Sequence, residues 1–428
     1  MEPTPPHIGL ISPSGWGNLG DAAIQDSMIL NLRRRIPAAR ITGITLNPDD
    51  TSRRHGVPAF PLGGQARAGR WIAGEHPTAA GPVAHPAPDG VRALLKRIPL
   101  LVRLVQWGRR VIGPAAAEVR HLLQAWRLVR SLDLLVVSGG GQVDDTWGGV
   151  FGGPYDLCKW GLLADAAGVP FAVASVGAES LASALSRLLA RTGLRAAGYR
   201  SYRDAYSKSV IESVGLGWED PIVPDLAFSL PVTPVPRPNR TPPVIGVSPI
   251  AYCDPRVWPR KDPAVYHTYL GLLEAVIRKL RESGHEVVLF TSDGPDRRVV
   301  EDLLARLPDA GLRAPQTGSL EDLFRALADV DVVLASRLHG VLLSLLAGRP
   351  VLALSYHRKV RDHMEAMGLG SSCLPLEGTT PAQVLAGLQS LCRDASRLVP
   401  AISREVAVRQ DALAGQYDRL VGSLRARA

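Results

Sequence analysis

The chain has few cysteines and few aromatic residues, and these shortages exclude several classes of protein. Its four cysteines lie far apart, at Cys158, Cys253, Cys373 and Cys392. Because none forms a CxxC pair or stands near a histidine cluster, we expect reduced thiols of a cytosolic protein and no structural metal site. Aromatic residues make up only 5% of the chain, which argues against stacking on nucleic-acid bases.

Long apolar runs and a secretion signal are also missing. Residues 1–6 have neither the basic start nor the apolar run of such a signal. Arg349 interrupts the apolar run at 341–354, and Asp165 interrupts the one at 162–176. Neither run therefore reaches the length that crosses a bilayer. We expect a cytoplasmic protein that is not integral to a membrane.

The positive charge is concentrated in one segment. Residues 51–130 hold 13 Lys plus Arg and 3 Asp plus Glu, a net charge of +10 against +9 for the whole chain. Basic and apolar residues alternate at 91–112 as in an amphipathic helix, which Pro99 kinks or divides. Such a helix can lie on an anionic membrane, or it can pack on the first domain with its arginines extended to solvent. Because the rest of the chain is not basic, we expect no nucleic-acid partner.

Strand-like and helix-like segments alternate along the chain, which predicts α/β domains with parallel sheets. We predict a first Rossmann-like domain at 1–230, with an insertion at about 51–130, and a second at 244–395, because 428 residues exceed one ordinary core. A proline-rich linker at 231–243 separates them, and residues 396–428 are expected to form a helix that returns to the first domain. The predicted strands lie at 8–12, 41–46, 134–138, 170–176, 221–224, 244–248, 286–290, 331–335 and 351–354.

The run from Ser336 to Gly340 (SRLHG) stands between a strand-like stretch and a helix-like stretch at 341–347. The first backbone N–H groups of such a helix form an anion site. Arg337 can hold a carboxylate or a phosphate through two parallel hydrogen bonds, and His339 is suited to proton transfer near neutral pH. The alternative is a buried salt bridge at Arg337 and a helix cap at His339.

A glycine-rich turn follows the first predicted strand. It reads SGWGNLGD from Ser14 to Asp21 and leads into a helix-like segment at 22–34. Its glycines allow the backbone to approach a ligand closely, and Asp21 can cap the helix or accept a hydrogen bond from a substrate hydroxyl. The turn is not a strict GxGxxG dinucleotide fingerprint, because no acidic residue ends a second strand about twenty residues later, so an NAD-dependent enzyme is disfavoured.

Six short motifs, taken in order along the chain, resemble the polysaccharide pyruvyl transferase family. They are GNLGD at 17–21, SGGG at 138–141, SYRD at 201–204 with Ser207, PDLA at 224–227, SRLHG at 336–340 and YHRK at 356–359. The resemblance implies two Rossmann-like, doubly wound α/β domains facing a cleft, similar to the GT-B glycosyltransferases. It also implies transfer of the enolpyruvyl group of phosphoenolpyruvate to a sugar, where it becomes a pyruvate ketal.

The resemblance most directly implies roles for Arg203, Arg337 and His339. His339 would protonate the methylene carbon of phosphoenolpyruvate, and Arg337 would stabilise charge on the departing phosphate. Arg203 and Lys359 would bind the anionic donor. Further substrate contacts are expected from Ser336, Leu338, Gly17, Asn18, Gly20, Gly140, Gly141 and Trp147.

Carboxylates near these motifs are candidates for the general base. Asp21 is the first candidate for taking the proton of the sugar hydroxyl. Asp204 is a second, although we expect it rather to form a salt bridge that orients Arg203, and Asp225 is expected to cap a turn. Trp147 either stacks on a sugar face or covers the core. This scheme requires no metal and no cofactor beyond the donor substrate.

The acceptor is expected to be a cell-surface polysaccharide or its lipid-linked precursor, which would hold the protein at the inner face of the membrane. One alternative is a GT-B glycosyltransferase that uses a nucleotide sugar, with Glu365 or Glu377 binding the ribose. Another is a catalytically idle scaffold of polysaccharide assembly, attached to the membrane through 91–112. The scaffold is disfavoured because it has no reason to contain Arg203, Arg337 and His339 together.

Overall fold

A computed structural model describes residues 5–15, 17–64, 99–146, 148–233, 240–308 and 311–425. The first domain alternates strands with helices, as the pattern of short apolar runs predicts. Its elements are β1 (His7–Ile11), α1 (Leu19–Arg35), β2 (Arg40–Thr45), α2 (Pro48–His55), β3 (Ala59–Pro61), α3 (Pro99–Val129), β4 (Leu134–Ser138), α4 (Gly153–Ala166), β5 (Phe171–Val176), α5 (Ala184–Arg195), β6 (Tyr199–Tyr202) and α6 (Ala205–Ser213).

The second domain repeats the alternation around a second sheet. Its elements are β7 (Ile245–Ser248), α7 (Pro263–Glu282), β8 (Val287–Leu289), α8 (Arg297–Arg306), α9 (Leu320–Ala328), β9 (Val332–Ala335), α10 (Leu338–Leu346), β10 (Val351–Ser355), α11 (Arg358–Ala366), β11 (Cys373–Pro375) and α12 (Pro381–Arg425). Residues 234–239 of the predicted linker lie outside the described residues.

Both sheets are parallel, and each has one point where the strand order reverses. The first sheet runs β3-β2-β1-β4-β5-β6, and the second runs β11-β10-β9-β7-β8. The reversals therefore fall between β1 and β4 and between β7 and β9. Crevices at the carboxyl ends of such strand pairs are where doubly wound folds bind ligands.

The predicted strand at 221–224 is wrong. Of these residues, only Ile222 forms an isolated bridge, to Tyr202, and the sixth strand of the sheet is β6 instead. Pro221 and Pro224 have no N–H group to donate to a strand ladder, which explains why no strand forms there. The segment instead leads into a short 3-10 helix at Leu226–Ser229.

The two domains share one apolar core. Ile24 and Met28 of α1 belong to the same buried cluster as Leu334 of β9 and Val341 of α10. A separate cluster on the other face of the first sheet contains Trp160, Val137 and Val173, among others. Because α1 packs directly on the second domain, the beginnings of α1 and α10 meet at the domain boundary.

The C-terminal helix α12 also joins the two domains. It begins at Pro381, earlier than the predicted 396, and runs through Pro400 to Arg425. On the first domain, the Nε atom of Arg35 lies 2.6 Å from the Oδ1 atom of Asp418. Nearby, the hydroxyl of Ser201 donates a 2.5 Å hydrogen bond to the Oε1 atom of Gln416.

Part of the basic segment is integrated into the first domain. Strand β3 forms the edge of the first sheet, and α3 packs on it through Ala125 and Val129, both fully buried. Residues 65–98, and with them the start of the predicted 91–112 helix, lie outside the described residues, and α3 begins at Pro99. Within the described ranges, no helix is both long and apolar enough to cross a membrane.

Candidate functional site

The SRLHG run lies where β9 passes into α10, at the reversal point of the second sheet. The helix begins at Leu338, three residues before the predicted start at 341, and Arg337 occupies its N-cap position with an extended backbone. All nine residues of α10 are buried, because the helix lies between the two domains. The N–H groups of its first turn have no acceptor within the helix.

Arg337 is held by two aspartates that follow β8. Its Nε and Nη2 atoms donate to the Oδ2 and Oδ1 atoms of Asp296 at 2.5 and 2.7 Å, and its Nη1 atom lies 2.9 Å from Asp293 Oδ2. Burial by itself lowers the pKa of Arg337, but the two carboxylates outweigh it and raise that pKa further above its usual range. The two-hydrogen-bond surface that was predicted to bind a substrate anion is therefore occupied by Asp296.

The pKa of Asp293 is raised in this buried cluster of charged groups. Burial is the largest cause, and the negative charges of Asp296 and Asp21 act in the same direction, while Arg337 opposes them. The sequence interpretation missed Asp293 and Asp296. Their signal was the SDGPD run at 292–296, a turn at the carboxyl end of a strand next to the reversal point.

His339 is wedged between the two domains. A Cβ atom at Gly20 would lie 1.9 Å from the Nδ1 atom of His339, so only glycine fits beneath the imidazole. On the other side, the Nε2 atom lies 3.7 Å from the Oδ2 atom of Asp225. Both of these atoms are buried and have no hydrogen-bond partner in the described structure. Gly20, predicted to approach a ligand, instead makes room for His339.

Arg203 follows β6 and reaches the same carboxylate. Its Nη1 atom lies 3.5 Å from Asp225 Oδ2, and its Nε atom donates to Asp204 Oδ2 at 3.1 Å. The predicted salt bridge between Asp204 and Arg203 is thus confirmed. A Cβ atom at Gly177 would lie 2.7 Å from the guanidinium carbon of Arg203, so a second glycine makes room for a predicted site residue.

Asp225 has two roles. It caps the 3-10 helix as predicted, since its Oδ1 atom accepts a 3.0 Å hydrogen bond from the N–H of Ala227. Its Oδ2 atom joins Arg203 to His339. Burial by itself raises the pKa of Asp225, but His339 and Arg203 outweigh it and hold that pKa far below the usual value.

Asp21 lies in the first turn of α1, but it does not cap the helix. That role belongs to Asn18, whose side chain accepts from the N–H groups of Gly20 and Asp21 at 2.9 and 3.2 Å. Burial raises the pKa of Asp21; His339 lowers it and Asp225 raises it further. Asp21 is thus a carboxyl group of raised basicity beside His339. Asn18, which was predicted to bind substrate, instead caps the helix through its side chain.

The other glycines that were predicted to contact substrate are Gly17, in the turn before α1, and Gly140 and Gly141, which follow β4. Gly17 has a φ of +80° and Gly140 a φ of +70°, a left-handed conformation that strongly favours glycine. A Cβ atom at Gly140 would lie 3.9 Å from Asp21 Oδ1, while one at Gly141 would meet nothing within 4 Å. The turn also contacts the second domain, because the N–H of Leu19 donates to the carbonyl oxygen of Ser292 at 2.8 Å.

Lys359 crosses the cleft from the start of α11. Its Nζ atom lies 2.8 Å from the Oε1 atom of Glu179, in the loop after β5. Burial by itself raises the pKa of Glu179, but Lys359 and His357 outweigh it, so that pKa falls below its usual value. The guanidinium of Arg358 lies 4.2 Å from the ring centre of Tyr206, a second contact between the domains.

The other residues predicted to contact substrate are Ser336, Leu338 and Trp147. The hydroxyl of Ser336 is engaged with the hydroxyl of Tyr269 at 2.8 Å, and Leu338 is buried at the first position of α10. Trp147 lies outside the described residues. Within the described ranges, no group of three or more His, Cys, Asp or Glu residues is arranged to hold a metal ion.

Residues 18–358 match the family model described as Polysaccharide pyruvyl transferase, and no curated protein matches the chain. One similar solved structure is S. aureus MnaA with UDP, which is 13% identical, with 97% of this chain and 95% of that one covered and a TM-score of 0.54. A second is a UDP-glucose:anthocyanidin 3-O-glucosyltransferase with UDP, which is 13% identical, with all of both chains covered (100% and 100%) and a TM-score of 0.53. A third is SnogD from Streptomyces nogalater, which is 15% identical, with 98% of this chain and 100% of that one covered and a TM-score of 0.53. At these identities they show the fold alone, two Rossmann-like domains in the GT-B arrangement.

Proposed function

Since the chain belongs to the polysaccharide pyruvyl transferase family, we propose that it transfers the enolpyruvyl group of phosphoenolpyruvate to sugar hydroxyls of a cell-surface polysaccharide or its precursor. The product is a pyruvate ketal, and inorganic phosphate is released. One observation carries the proposal: Arg203 and Asp225 of the first domain meet His339 of the second domain where the reversal points of the two sheets face each other.

The reaction begins with a proton transfer to the methylene carbon of the donor. His339 supplies this proton, which leaves an electron-poor carbon that a sugar hydroxyl attacks. The carbon–oxygen bond to phosphate then breaks with its electron pair on the phosphate, and a second hydroxyl closes the ketal. Asp21 takes the proton of the first hydroxyl, a task that suits a carboxyl group whose pKa is raised by burial, and the released phosphate takes the proton of the second.

The donor is an anion, so it needs fixed positive charge and N–H groups. The first turn of α10 supplies N–H groups at the positive end of a helix dipole. Arg337 contributes charge from a position that Asp293 and Asp296 hold rigid, and Arg203 does so from the first domain. Lys359 joins them when the donor replaces Glu179 as its partner. No step in this scheme calls for a cofactor.

Thermal unfolding with separate ligands tests the donor. At about 100 times its dissociation constant a ligand adds about 2.7 kcal/mol to the stability of the folded state, which shifts the midpoint visibly. We expect stabilisation by phosphoenolpyruvate and not by UDP or UDP-N-acetylglucosamine. Arg337→Ala is a poor variant for this test because it leaves two buried carboxylates unpaired.

His339→Gln separates binding from chemistry. Its release of phosphate in the presence of phosphoenolpyruvate and an extract of cell-surface saccharides should fall by 10²-fold or more, since it loses the general acid. The matched control is His267→Gln, an exposed histidine far from the cleft, which should release phosphate at the rate of the unchanged protein. Equal rates for both variants would contradict the assignment of His339.

Transfer of a sugar from a nucleotide donor is the second candidate, because two of the structures that share this fold contain UDP. In this chain, however, Glu377 accepts a 2.8 Å hydrogen bond from the hydroxyl of Tyr252, so it is engaged rather than waiting for a ribose. Stabilisation by UDP together with no stabilisation by phosphoenolpyruvate would establish this candidate and reject the first.

A lipid-linked acceptor would require the protein to reach a membrane surface, and we propose that the basic segment 91–112 makes this contact together with the exposed face of α3 that follows it. Val119 and Leu123 lie one turn apart on α3 and are 58% and 59% exposed. The test is flotation with vesicles that contain anionic lipid, compared with neutral vesicles. Recovery of all the protein in the soluble fraction would reject membrane contact, and a Val119→Ser, Leu123→Ser double variant should float less.

A further inference from the structure

Two serine hydroxyls beside the start of α10 are buried without a partner. Ser248 ends β7 and is 1% exposed, and Ser292 follows β8 and is fully buried. In the described structure the Oγ atom of neither serine has a hydrogen-bond partner. A buried hydroxyl without a partner is costly, so such groups in a native fold require an explanation.

Both hydroxyls face the same residue of α10. A Cβ atom at Gly340 would lie 3.0 Å from Ser248 Oγ and 3.5 Å from Ser292 Oγ. Gly340 is the third residue of α10, so its N–H group belongs to the first turn, where backbone donors lack acceptors within the helix. Two hydroxyl donors and the positive end of a nine-residue helix therefore converge at one place.

Neighbouring serines do not share this property. The hydroxyl of Ser336 pairs with that of Tyr269, and the hydroxyl of Ser344 donates to the carbonyl oxygen of Gly340 at 2.7 Å. The nearby carboxylates of Asp293 and Asp296 are paired with Arg337. Among these groups, the hydroxyls of Ser248 and Ser292 are the ones without a partner.

The backbones of the two serines are fixed by other elements. The carbonyl oxygen of Ser248 accepts from the N–H of Ser336 at 3.0 Å, and that of Ser292 accepts from the N–H of Leu19 at 2.8 Å. Ser292 is therefore positioned by α1 of the first domain, although it belongs to the second. The two hydroxyls are held in place before any ligand arrives.

We propose that Ser248 and Ser292 donate hydrogen bonds to the phosphoryl oxygens of a ligand bound at the start of α10. Taking phosphoenolpyruvate as that ligand rests on the proposed function, whereas the phosphoryl site itself does not. Hydrogen bonds to a charged phosphate are about twice as strong as neutral ones, so each hydroxyl contributes about tenfold to the binding constant.

Calorimetric titration of the full chain with phosphoenolpyruvate, inorganic phosphate and UDP tests the site. We expect Ser248→Ala and Ser292→Ala each to weaken binding of phosphoenolpyruvate and phosphate about tenfold. The control is Ser344→Ala on the same helix, whose affinity should equal that of the unchanged protein. Without ligand, the two test variants should unfold at the same temperature as the unchanged protein or higher, because each loses an unpaired buried hydroxyl.

The outcomes separate the phosphoryl site from the donor. If the test variants bind phosphoenolpyruvate as tightly as the unchanged protein, the site is refuted while the proposed function stands. If the unchanged protein binds UDP alone and both variants weaken it, the site stands and the donor is refuted. If the test variants lose thermal stability without ligand as well as affinity, the serines have a structural role and the phosphoryl site is overturned. If the unchanged protein binds none of phosphoenolpyruvate, phosphate and UDP, both the site and the proposed function are overturned.

Discussion

The Nε2 atom of His339 and the Oδ2 atom of Asp225 lie 3.7 Å apart across the domain boundary, and the described structure gives neither a hydrogen-bond partner. The pair exists only when the two domains are docked, because His339 is the second residue of α10 in the second domain and Asp225 belongs to the first. Asp225 also contacts Arg203. A single buried carboxylate therefore connects the two side chains to which we assign the donor chemistry.

Asp225→Asn keeps the shape of this side chain and removes its charge. We expect kcat to fall about 10²-fold or more, with KM changed less, because His339 loses the carboxylate that orients it. The acidic limb of the pH–rate profile should also move to lower pH, because burial raises the pKa of the proposed base Asp21 and the negative charge of Asp225 raises it further; a purely structural change would not move this limb. The measurement is phosphate release against pH. Asp220→Asn, which removes the partner of Arg200, serves as the control, and an unchanged profile in Asp225→Asn would contradict the role.

Gly20→Ala should displace the imidazole of His339. The added methyl group would lie 1.9 Å from Nδ1, far inside van der Waals contact, so the ring must leave its position. We expect loss of phosphate release with a folded chain by circular dichroism. Gly271→Ala adds a methyl group to α7 where nothing lies within 4 Å, and it should leave the rate unchanged. Full activity in Gly20→Ala would show that the observed position of His339 is not the one used in catalysis.

Glu179→Gln and Lys359→Met should have opposite effects on donor binding. Glu179 holds Lys359 at 2.8 Å, so removing its charge frees the ammonium group for an incoming anion, whereas Lys359→Met removes the cation. We expect phosphoenolpyruvate to bind Glu179→Gln as tightly as the unchanged protein or more tightly, and Lys359→Met about tenfold more weakly. Calorimetry measures both, and weakening of equal size in the two variants would mean that the pair acts as a structural link.

His363 should make the stability of the protein depend on pH below neutrality. Burial lowers its pKa from 6.5 to about 4, and the ring stacks on Phe228 at 5.5 Å. The unfolded chain therefore binds a proton between pH 6.5 and about 4 while the folded chain does not, so stability falls as the pH falls through this window. The loss reaches up to about 3 kcal/mol near pH 4.

Urea unfolding of His363→Phe at several pH values measures this contribution. The substitution keeps an aromatic ring against Phe228 and removes the titrating group, so the stability curve should become flatter between pH 6.5 and 4. The comparison is His267→Gln, an exposed histidine, which should leave the slope unchanged. A slope in His363→Phe equal to that of the unchanged protein would assign the pH dependence to other groups.

Local patterns were sufficient for most elements and for the positions of the motifs. The apolar run 332–335 and the apolar stretch after His339 form β9 and α10 because strands and helices follow the spacing of neighbouring residues. The turn at Gly17, Asn18 and Gly20 lies at a strand end for the same reason. The strand expected at 221–224 does not form, because Pro221 and Pro224 have no N–H group to donate to a strand ladder.

The family, and the placement of Arg203, Arg337 and His339 at strand ends, followed from the sequence by itself, since those features depend on the order of residues along the chain. The tertiary structure alone decided which groups these side chains meet. Asp296 accepts two hydrogen bonds from Arg337, and Gly20 makes room for His339. Asp225 joins His339 to Arg203. The hydroxyls of Ser248 and Ser292 have no partner in the described structure. These relationships connect residues from different elements, and the contacts of His339 with Gly20 and Asp225 also cross the domain boundary. They arise only in the folded chain, because distances between side chains are set by packing and not by spacing along the chain.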